Sequence, residues 1–169
     1  KTGNNPRQEK TELMKTMARE IMHRDLTAVM ADDLIHDAVH ILYSHNLSGI
    51  PVIKEDWILV GFLSESDVLK AAVPTYLEIL AQSSFLADGE CNLLERFRVI
   101  EKGKVSDFMN PNPVFIEPTA SLMTVADLML RKQVKRLPIV EKGKLIGIID
   151  RGAFCEFLME ADFTHEGEI

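Results

Sequence analysis

The 169-residue chain has only two cysteines, no long apolar run and no excess of basic charge. Cys91 and Cys155 form neither a CxxC pair nor a zinc spacing, which fits a reducing, cytoplasmic compartment. No apolar run reaches the ~18 residues of a membrane span, so we expect no membrane insertion. The net charge of −7 argues against a nucleic-acid partner. An anionic small ligand stays open, because its site needs only local positive charge.

The composition is that of a globular protein, with 46% apolar and 27% charged residues. The length suffices for one domain or two small ones. The polar N-terminus, KTGNNPRQEK, has no signal-peptide core. Because the first residue is Lys and not Met, we expect the chain to be a piece of a longer protein.

An internal repeat organises the sequence. Met22 corresponds to Met109 and Pro51 to Pro138, with a constant offset of 87 residues. Few residues are identical, but the apolar pattern is shared. The matching positions are Ile35 and Leu122, Val39 and Ala126, Leu42 and Met129, and Leu47 and Val134. Such a repeat is stronger evidence on architecture than any single motif.

Each copy predicts the element order β-α-β-β-α, and hence an α/β (α+β) fold. In copy one we expect a strand at Leu26–Met30, a helix with apolar residues at 35, 38, 39 and 42, strands at Ile50–Ile53 and Ile58–Leu63, a turn at Glu55–Asp56, and a helix from Ser64. In copy two the counterparts are Val114–Glu117, a helix with apolar residues at 122, 125, 126 and 129, Leu137–Val140, Leu145–Ile149, a turn at Lys142–Gly143, and a helix from Asp150. Neither copy alone has enough length for a comfortable core, so we expect the two to pack together.

The repeat also predicts the domain boundaries. We expect an N-terminal helical lead-in (1–15), repeat 1 (16–72), a helical insertion (73–103), repeat 2 (104–160) and an acidic tail (161–169). In the insertion, Tyr76, Leu77, Leu80 and Phe85 indicate an amphipathic helix, followed by a loop around Asp88–Gly89.

The segments GIPVI…VGFLSESDVL and RLPIV…IGIIDRGAF closely resemble a tandem pair of CBS domains, the Bateman module, over about residues 16 to 158. The resemblance implies two repeats related by a pseudo-twofold axis, with two clefts between them. It also implies binding of adenosine compounds, among them AMP, ADP, ATP and S-adenosylmethionine, and assembly into a disc-shaped homodimer. Such modules regulate a linked protein and perform no catalysis, so we do not expect an enzyme.

Ser64 and Asp67 admit two interpretations. The spacing S-x-x-D is that of a capping box, which stabilises a helix start by about 1 kcal/mol. The same corner could also bind a ligand, since a helix N-terminus favours phosphate and a carboxylate can accept from both ribose hydroxyls. In that interpretation Ser64 and Ser66 donate to phosphate. The resemblance implies that Asp67 contacts ribose and that Ser64 contacts phosphate.

The second copy departs from this pattern, because Asp150 stands in place of Ser64 and Ala153 in place of Asp67. A ribose would lose its acceptor there, and a carboxylate would repel phosphate, although the adjacent Arg151 could compensate. We therefore expect one adenosine site per chain, and a second cleft that is empty or holds something else.

The resemblance also predicts the other residues of the Asp67 cleft. Lys135 and Arg136 would be the phosphate partners, and Met109 and Val114 would form apolar walls for adenine. The remaining predicted lining residues are Ser48, Gly49, Ile50 and Leu63.

We interpret the His36 and His40 pair as a solvated helix face, because no third metal ligand is evident.

Two classes of function follow from these patterns. The first is a regulatory sensor of an adenine nucleotide that acts on an unidentified partner protein. The second is a dimerisation or scaffold module with empty clefts, in which Ser64 and Asp67 form only a helix cap.

Overall fold

The structure is a computed structural model, and it describes residues 16–24, 26–73 and 89–161. The predicted lead-in (1–15) and nearly all of the acidic tail lie outside the described residues. So do residues 74–88, which include Tyr76, Leu77, Leu80 and Phe85. The chain divides into two compact units, one of residues 27–113 and one of residues 1–26 with 114–169.

The unit of residues 27–113 contains the strands and both helices of the β-α-β-β-α order of repeat 1. Its elements are β1 (Val29–Met30), α2 (Ile35–Ser44), β2 (Gly49–Lys54), β3 (Ile58–Ser64), α3 (Glu65–Ala72), α4 (Gly89–Ile100) and α5 (Val105–Phe108). Strand β2 pairs in parallel with β1 and antiparallel with β3. The core is built from the inward faces of these strands and helices, with Ile35, Leu42, Ile50 and Leu63 fully buried.

The other unit contains α1 (Ala18–Ile21), α6 (Leu122–Lys132), β4 (Arg136–Glu141), β5 (Lys144–Asp150) and α7 (Arg151–Glu160). Strands β4 and β5 form an antiparallel hairpin, and Ile116 bridges in parallel to Ile139. Val125, Met129 and Leu137 are among the side chains that fill its core.

The predicted strand pairs and helix starts are confirmed, with small differences at their ends. Helices α3 and α7 are capped by Ser64 and Asp150. The first predicted strand of each copy is shorter: two residues in copy one, and an isolated bridge at Ile116 in copy two. Of the predicted loop around Asp88–Gly89, Asp88 lies outside the described residues, and at Gly89 the structure has the start of α4 instead. The Leu, Glu and Arg residues that follow favour a helix.

The two hairpin turns differ in length. Lys142 and Gly143 have φ values of 52° and 81°, as a two-residue type I′ turn requires. The copy-one turn extends over Glu55–Trp57, with Asp56 and Trp57 both left-handed. In each hairpin the pairing shifts by one residue, at Val52/Ile53 and at Ile139/Val140.

The first residues of each repeat pack with a strand of the other repeat. His23 exchanges backbone hydrogen bonds with Ile148 at 2.8 and 3.1 Å. Asn110, its counterpart, does the same with Phe62 at 2.8 and 3.0 Å. Each unit therefore contains the first residues of one repeat together with the strands and both helices of the β-α-β-β-α order of the other.

Two glycines make this packing between the repeats within each unit sterically possible. A Cβ added to Gly147 would overlap Met22, and one added to Gly61 would overlap Met109. The repeated methionine and the repeated glycine are therefore contact partners within each unit.

We expect Gly147→Ala to lower the free energy of unfolding by about 1–3 kcal/mol, because the added methyl overpacks against Met22. Chemical denaturation measures the change. The control is Gly152→Ala, where the added methyl meets no atom within 4 Å and the helix gains about 0.5–1 kcal/mol. Equal effects of the two changes would contradict this packing.

Candidate functional site

The corner between β3 and α3, which we call the repeat-1 corner, is defined by Ser64 and Asp67. Ser64 Oγ accepts a hydrogen bond from the Asp67 N–H at 3.2 Å. Asp67 Oδ2 in turn lies 2.9 Å from the Ser64 nitrogen and 2.6 Å from Ser64 Oγ. The predicted capping box is therefore confirmed.

The capping box uses only part of the hydrogen-bond acceptor capacity of the Asp67 carboxylate. An ionised carboxylate has about four acceptor positions on its two oxygens, and the cap uses two, both on Oδ2. Within the described part of the chain, Oδ1 has no hydrogen-bond partner. Asp67 is only half-buried. Capping and ligand binding are therefore compatible roles for the same side chain.

The start of β2 forms the second wall of the corner. Gly49 is paired with Ser64, and Ile50 with Leu63. The Ser48 carbonyl accepts from the Glu65 N–H at 3.2 Å. The side chains of Ile50 and Leu63 are both 0% exposed, so these two residues face the core and offer the corner only their backbone.

Phe62 lies at the corner and is absent from the set that the sequence predicts. A Cβ on Gly49 would overlap the Phe62 ring. The ring therefore covers the space left by the missing side chain, on the sheet face opposite the buried Leu63. The alternation of β3 was the available signal, since it places Phe62 and Ser64 on one face.

Met109 also belongs to this unit. It packs against the core beside Gly61, next to the Asn110 bridge to Phe62. The structure thus groups Ser48, Gly49, Ile50, Leu63, Ser64, Ser66, Asp67 and Met109 in one compact unit.

Val114, Lys135 and Arg136 belong to the other compact unit. Val114 packs against that unit's core, and the Lys135 side chain is exposed. Arg136 Nε donates to Asp150 Oδ1 at 2.7 Å, with the Arg136 side chain only 10% exposed and that of Asp150 37% exposed. Part of the donor capacity of Arg136 is therefore already in use.

The β5–α7 corner, the repeat-2 corner, holds this ion pair in place of a capping box. Asp150 caps α7 without a side-chain hydrogen bond to the helix. The facing residue is Arg136, where the repeat-1 corner has Gly49. With Ala153 one turn in, the repeat-2 corner has no acceptor at the position of Asp67.

The described residues contain no group of three or more His, Cys, Asp or Glu side chains that could hold a metal ion. His36 and His40 are exposed, and His36 contacts Asp37 at 3.1 Å.

Away from both corners, the hydrogen bond and charge of Asp32 raise the pKa of Lys104. In the ranges that the structure covers, no helix is long and apolar enough to cross a membrane.

Comparison with known proteins identifies the family. The CBS domain model matches residues 18–74 and 105–160. Protein MJ1426 of Methanocaldococcus jannaschii is 30% identical, over 85% of this chain and 91% of its own length. The chain therefore belongs to the CBS domain family, with two such domains in tandem.

Plant relatives and their structures agree with this assignment. Chloroplastic CBSX1 of Arabidopsis thaliana is 32% identical to this chain. The match covers 76% of this chain and 57% of the plant protein. The crystal structure of CBSX2 in complex with AMP matches with a TM-score of 0.64 and 28% identity, covering 85% of this chain and 96% of that chain. A structure of CBSX2 from the same plant matches with a TM-score of 0.68.

Proposed function

We propose that this chain is a regulatory module that binds an adenosine nucleotide at the repeat-1 corner and performs no catalysis. The observation that carries the proposal is the Asp67 carboxylate, which keeps one oxygen available while the other caps α3. The AMP complex of the related CBSX2 supports the choice of ligand class.

The ligand is AMP, ADP or ATP in this proposal, with S-adenosylmethionine as the alternative that shares the same ribose and carries a sulfonium in place of phosphate. Asp67 accepts hydrogen bonds from the ribose hydroxyls, next to Gly49 and Met109. Of the two cations that the sequence predicts as phosphate partners, Lys135 is exposed and Arg136 already binds Asp150.

Thermal unfolding with a ligand panel tests this proposal. A ligand that binds only the folded chain stabilises it by about 2.7 kcal/mol at a concentration of 100 Kd. We expect AMP, ADP or ATP to raise the Tm by several degrees, with GMP as the control that lacks adenine. If no adenosine compound shifts the Tm at millimolar concentration, the proposed function is wrong.

A second candidate, a homodimerising scaffold that needs no ligand, is favoured by exposed apolar side chains at corresponding positions of the two repeats. Tyr43 on α2 is 84% exposed, and its counterpart Leu130 on α6 is 72% exposed. Val73 and Met159 form a second such pair. Exposed apolar groups that recur in this way suit a self-complementary contact between two copies.

For the homodimer we expect the double change Tyr43→Glu with Leu130→Glu to convert a species of twice the chain mass into monomer. The physical reason is the cost of placing two carboxylates in an apolar contact. Sedimentation equilibrium gives the mass, and Lys132→Glu on α6 serves as the control. A wild-type chain that stays monomeric at high concentration would rule out this contact.

The regulated partner and the cytoplasmic location remain predictions. The partner would respond to the difference between the ligand-bound and ligand-free states. Any such response is limited by the difference in ligand affinity between them.

A further inference from the structure

Three helices of the unit of residues 27–113 border a cavity of about 340 Å³, which we call the interhelical cavity. Its buried part is lined by Ile35 on α2, Val68 on α3 and Ile100 at the end of α4. Val39 and Phe97 add further apolar surface. The volume falls within the range of about 300–1,000 Å³ that is usual for small-molecule sites.

One face of α2 supplies a wall of the cavity. His36, Val39, His40 and Tyr43 all line it. They follow one another at the spacing i, i+3, i+4 and i+7, which places them along a single side of a helix. The wall therefore alternates apolar or aromatic side chains with two imidazoles.

The segment after α4 is tied to the start of this wall by the backbone. The Ile35 N–H donates to the Gly103 carbonyl at 2.9 Å, and the His36 N–H donates to the Glu101 carbonyl at 3.4 Å. The two bonds keep Glu101 next to His36. Both side chains line the same cavity.

The polar groups of the cavity are acceptors. Among the described residues that line it there is no Lys or Arg, and Glu101 is the acid. The exposed Glu101 carboxylate has no hydrogen bond or ion pair with another described residue. His36 Nδ1 lies 3.1 Å from Asp37 Oδ1. Because an ionised carboxylate can only accept, the proton of a neutral His36 ring lies on Nδ1, and Nε2 is left as an acceptor.

An apolar molecule with one ammonium group complements this arrangement. An ammonium has three donors and no acceptor, so it suits a carboxylate and a neutral imidazole. The rings of Tyr43 and Phe97 can also contact a cation favourably. An anionic head group would instead be repelled by Glu101, with no cationic side chain in the described lining to offset the repulsion.

From these observations we propose that the interhelical cavity is a binding site for a small apolar amine. The proposal is independent of nucleotide binding at the repeat-1 corner. The corresponding face of α6 differs, because Asp127 is the counterpart of His40 at the offset of 87 residues. Asp127 is already paired with Arg131, so the acceptor at that position of repeat 2 is in use.

Three probes with the same phenyl group on a four-carbon chain test the proposal: 4-phenylbutylamine, 4-phenylbutanol and 4-phenylbutanoate. The NMR signals of the Ile35, Val39 and Val68 methyl groups report binding at the cavity. The titrations are run at pH 8, where a histidine ring is neutral and an alkylamine is charged. We expect the amine to shift these signals saturably, with an affinity at least about threefold above that of the alcohol. The acid is expected to leave them unchanged.

Two variants with matched controls locate the site. Glu101→Gln is expected to lower the affinity for the amine about threefold and to leave that for the alcohol unchanged, because an exposed ion pair is weak. Glu95→Gln removes an exposed carboxylate of α4 that does not line the cavity, and should change neither. Val39→Trp fills the cavity and abolishes both shifts. Val99→Trp, at a 74% exposed position outside the cavity, retains them.

Three results would overturn the proposal. The first is an equal response to the amine and the acid. The second is an unchanged affinity for the amine in Glu101→Gln. The third is a set of methyl shifts that follow the protein concentration and not the amine, which would mean that a second copy covers the cavity. None of these results bears on the proposed nucleotide site, which the AMP titration tests separately.

Discussion

Asp67→Ala is expected to lower the affinity for AMP by at least about a hundredfold. The change removes the proposed acceptor for both ribose hydroxyls, and hydrogen bonds to a charged group contribute about 1.5–3 kcal/mol each. Two of them correspond to a factor of about one hundred or more. The expected result in calorimetry is the loss of saturable binding at micromolar AMP.

The control must separate lost binding from lost helix capping. Asp67→Ala also removes the capping box, at a cost of about 0.5–2 kcal/mol in the free energy of unfolding. Ser121→Ala removes a comparable cap, because Ser121 Oγ accepts from the Thr124 N–H at 3.2 Å on α6. We expect Ser121→Ala to be destabilised and yet to bind AMP normally. Normal binding by Asp67→Ala would leave Asp67 with only its capping role.

The double change Asp150→Ser with Ala153→Asp is expected to raise the number of AMP molecules bound per chain from one to two. It installs the Ser-x-x-Asp box at the repeat-2 corner and releases Arg136 from its ion pair with Asp150. The new carboxylate at position 153 supplies the ribose acceptor that the natural sequence lacks. Calorimetric stoichiometry reads out the change directly.

Ala153→Asp alone is the informative control for this gain. It adds the acceptor but leaves the Asp150 carboxylate at the corner, where it would repel phosphate. We therefore expect the single change to bind one AMP, the same number that we expect for the wild type. If the wild type already binds two equivalent molecules, the unequal corners have no functional meaning.

The order of elements was predictable because its signals are local. Apolar spacing in the α2 and α6 segments, the turn residues Lys142 and Gly143, and the cap residue Ser64 each act within a few positions of the chain. Repetition at an offset of 87 residues then supported the assignments within the two repeats a second time. The capping box at Asp67 followed from the same local spacing.

The pairing at the corners could not be predicted in the same way. Counting outwards from the two-residue turn would place Arg136 opposite Ile149. The register shift at Ile139/Val140 places it opposite Asp150. A corresponding shift at Val52/Ile53 brings Gly49 opposite Ser64. No local pattern marks these shifts, so the ion pair of the repeat-2 corner was not foreseen.

The packing of the first residues of each repeat against a strand of the other repeat could not be predicted either. The bridges from His23 to Ile148 and from Asn110 to Phe62 connect residues that are distant in sequence. Periodicity carries no information on such contacts. Only the repeated glycines, Gly61 and Gly147, hinted that another backbone or side chain approaches β3 and β5 closely.

The most direct test of the proposed function is calorimetric titration of nucleotide-free wild-type protein with AMP. We predict saturable binding with one AMP per chain, through the proposed ribose acceptor at the repeat-1 corner. The absence of binding by AMP, ADP and ATP alike would contradict it. Ser64 and Asp67 would then serve only to start a helix, and the exposed apolar positions at Tyr43 and Leu130 would mark where the module acts.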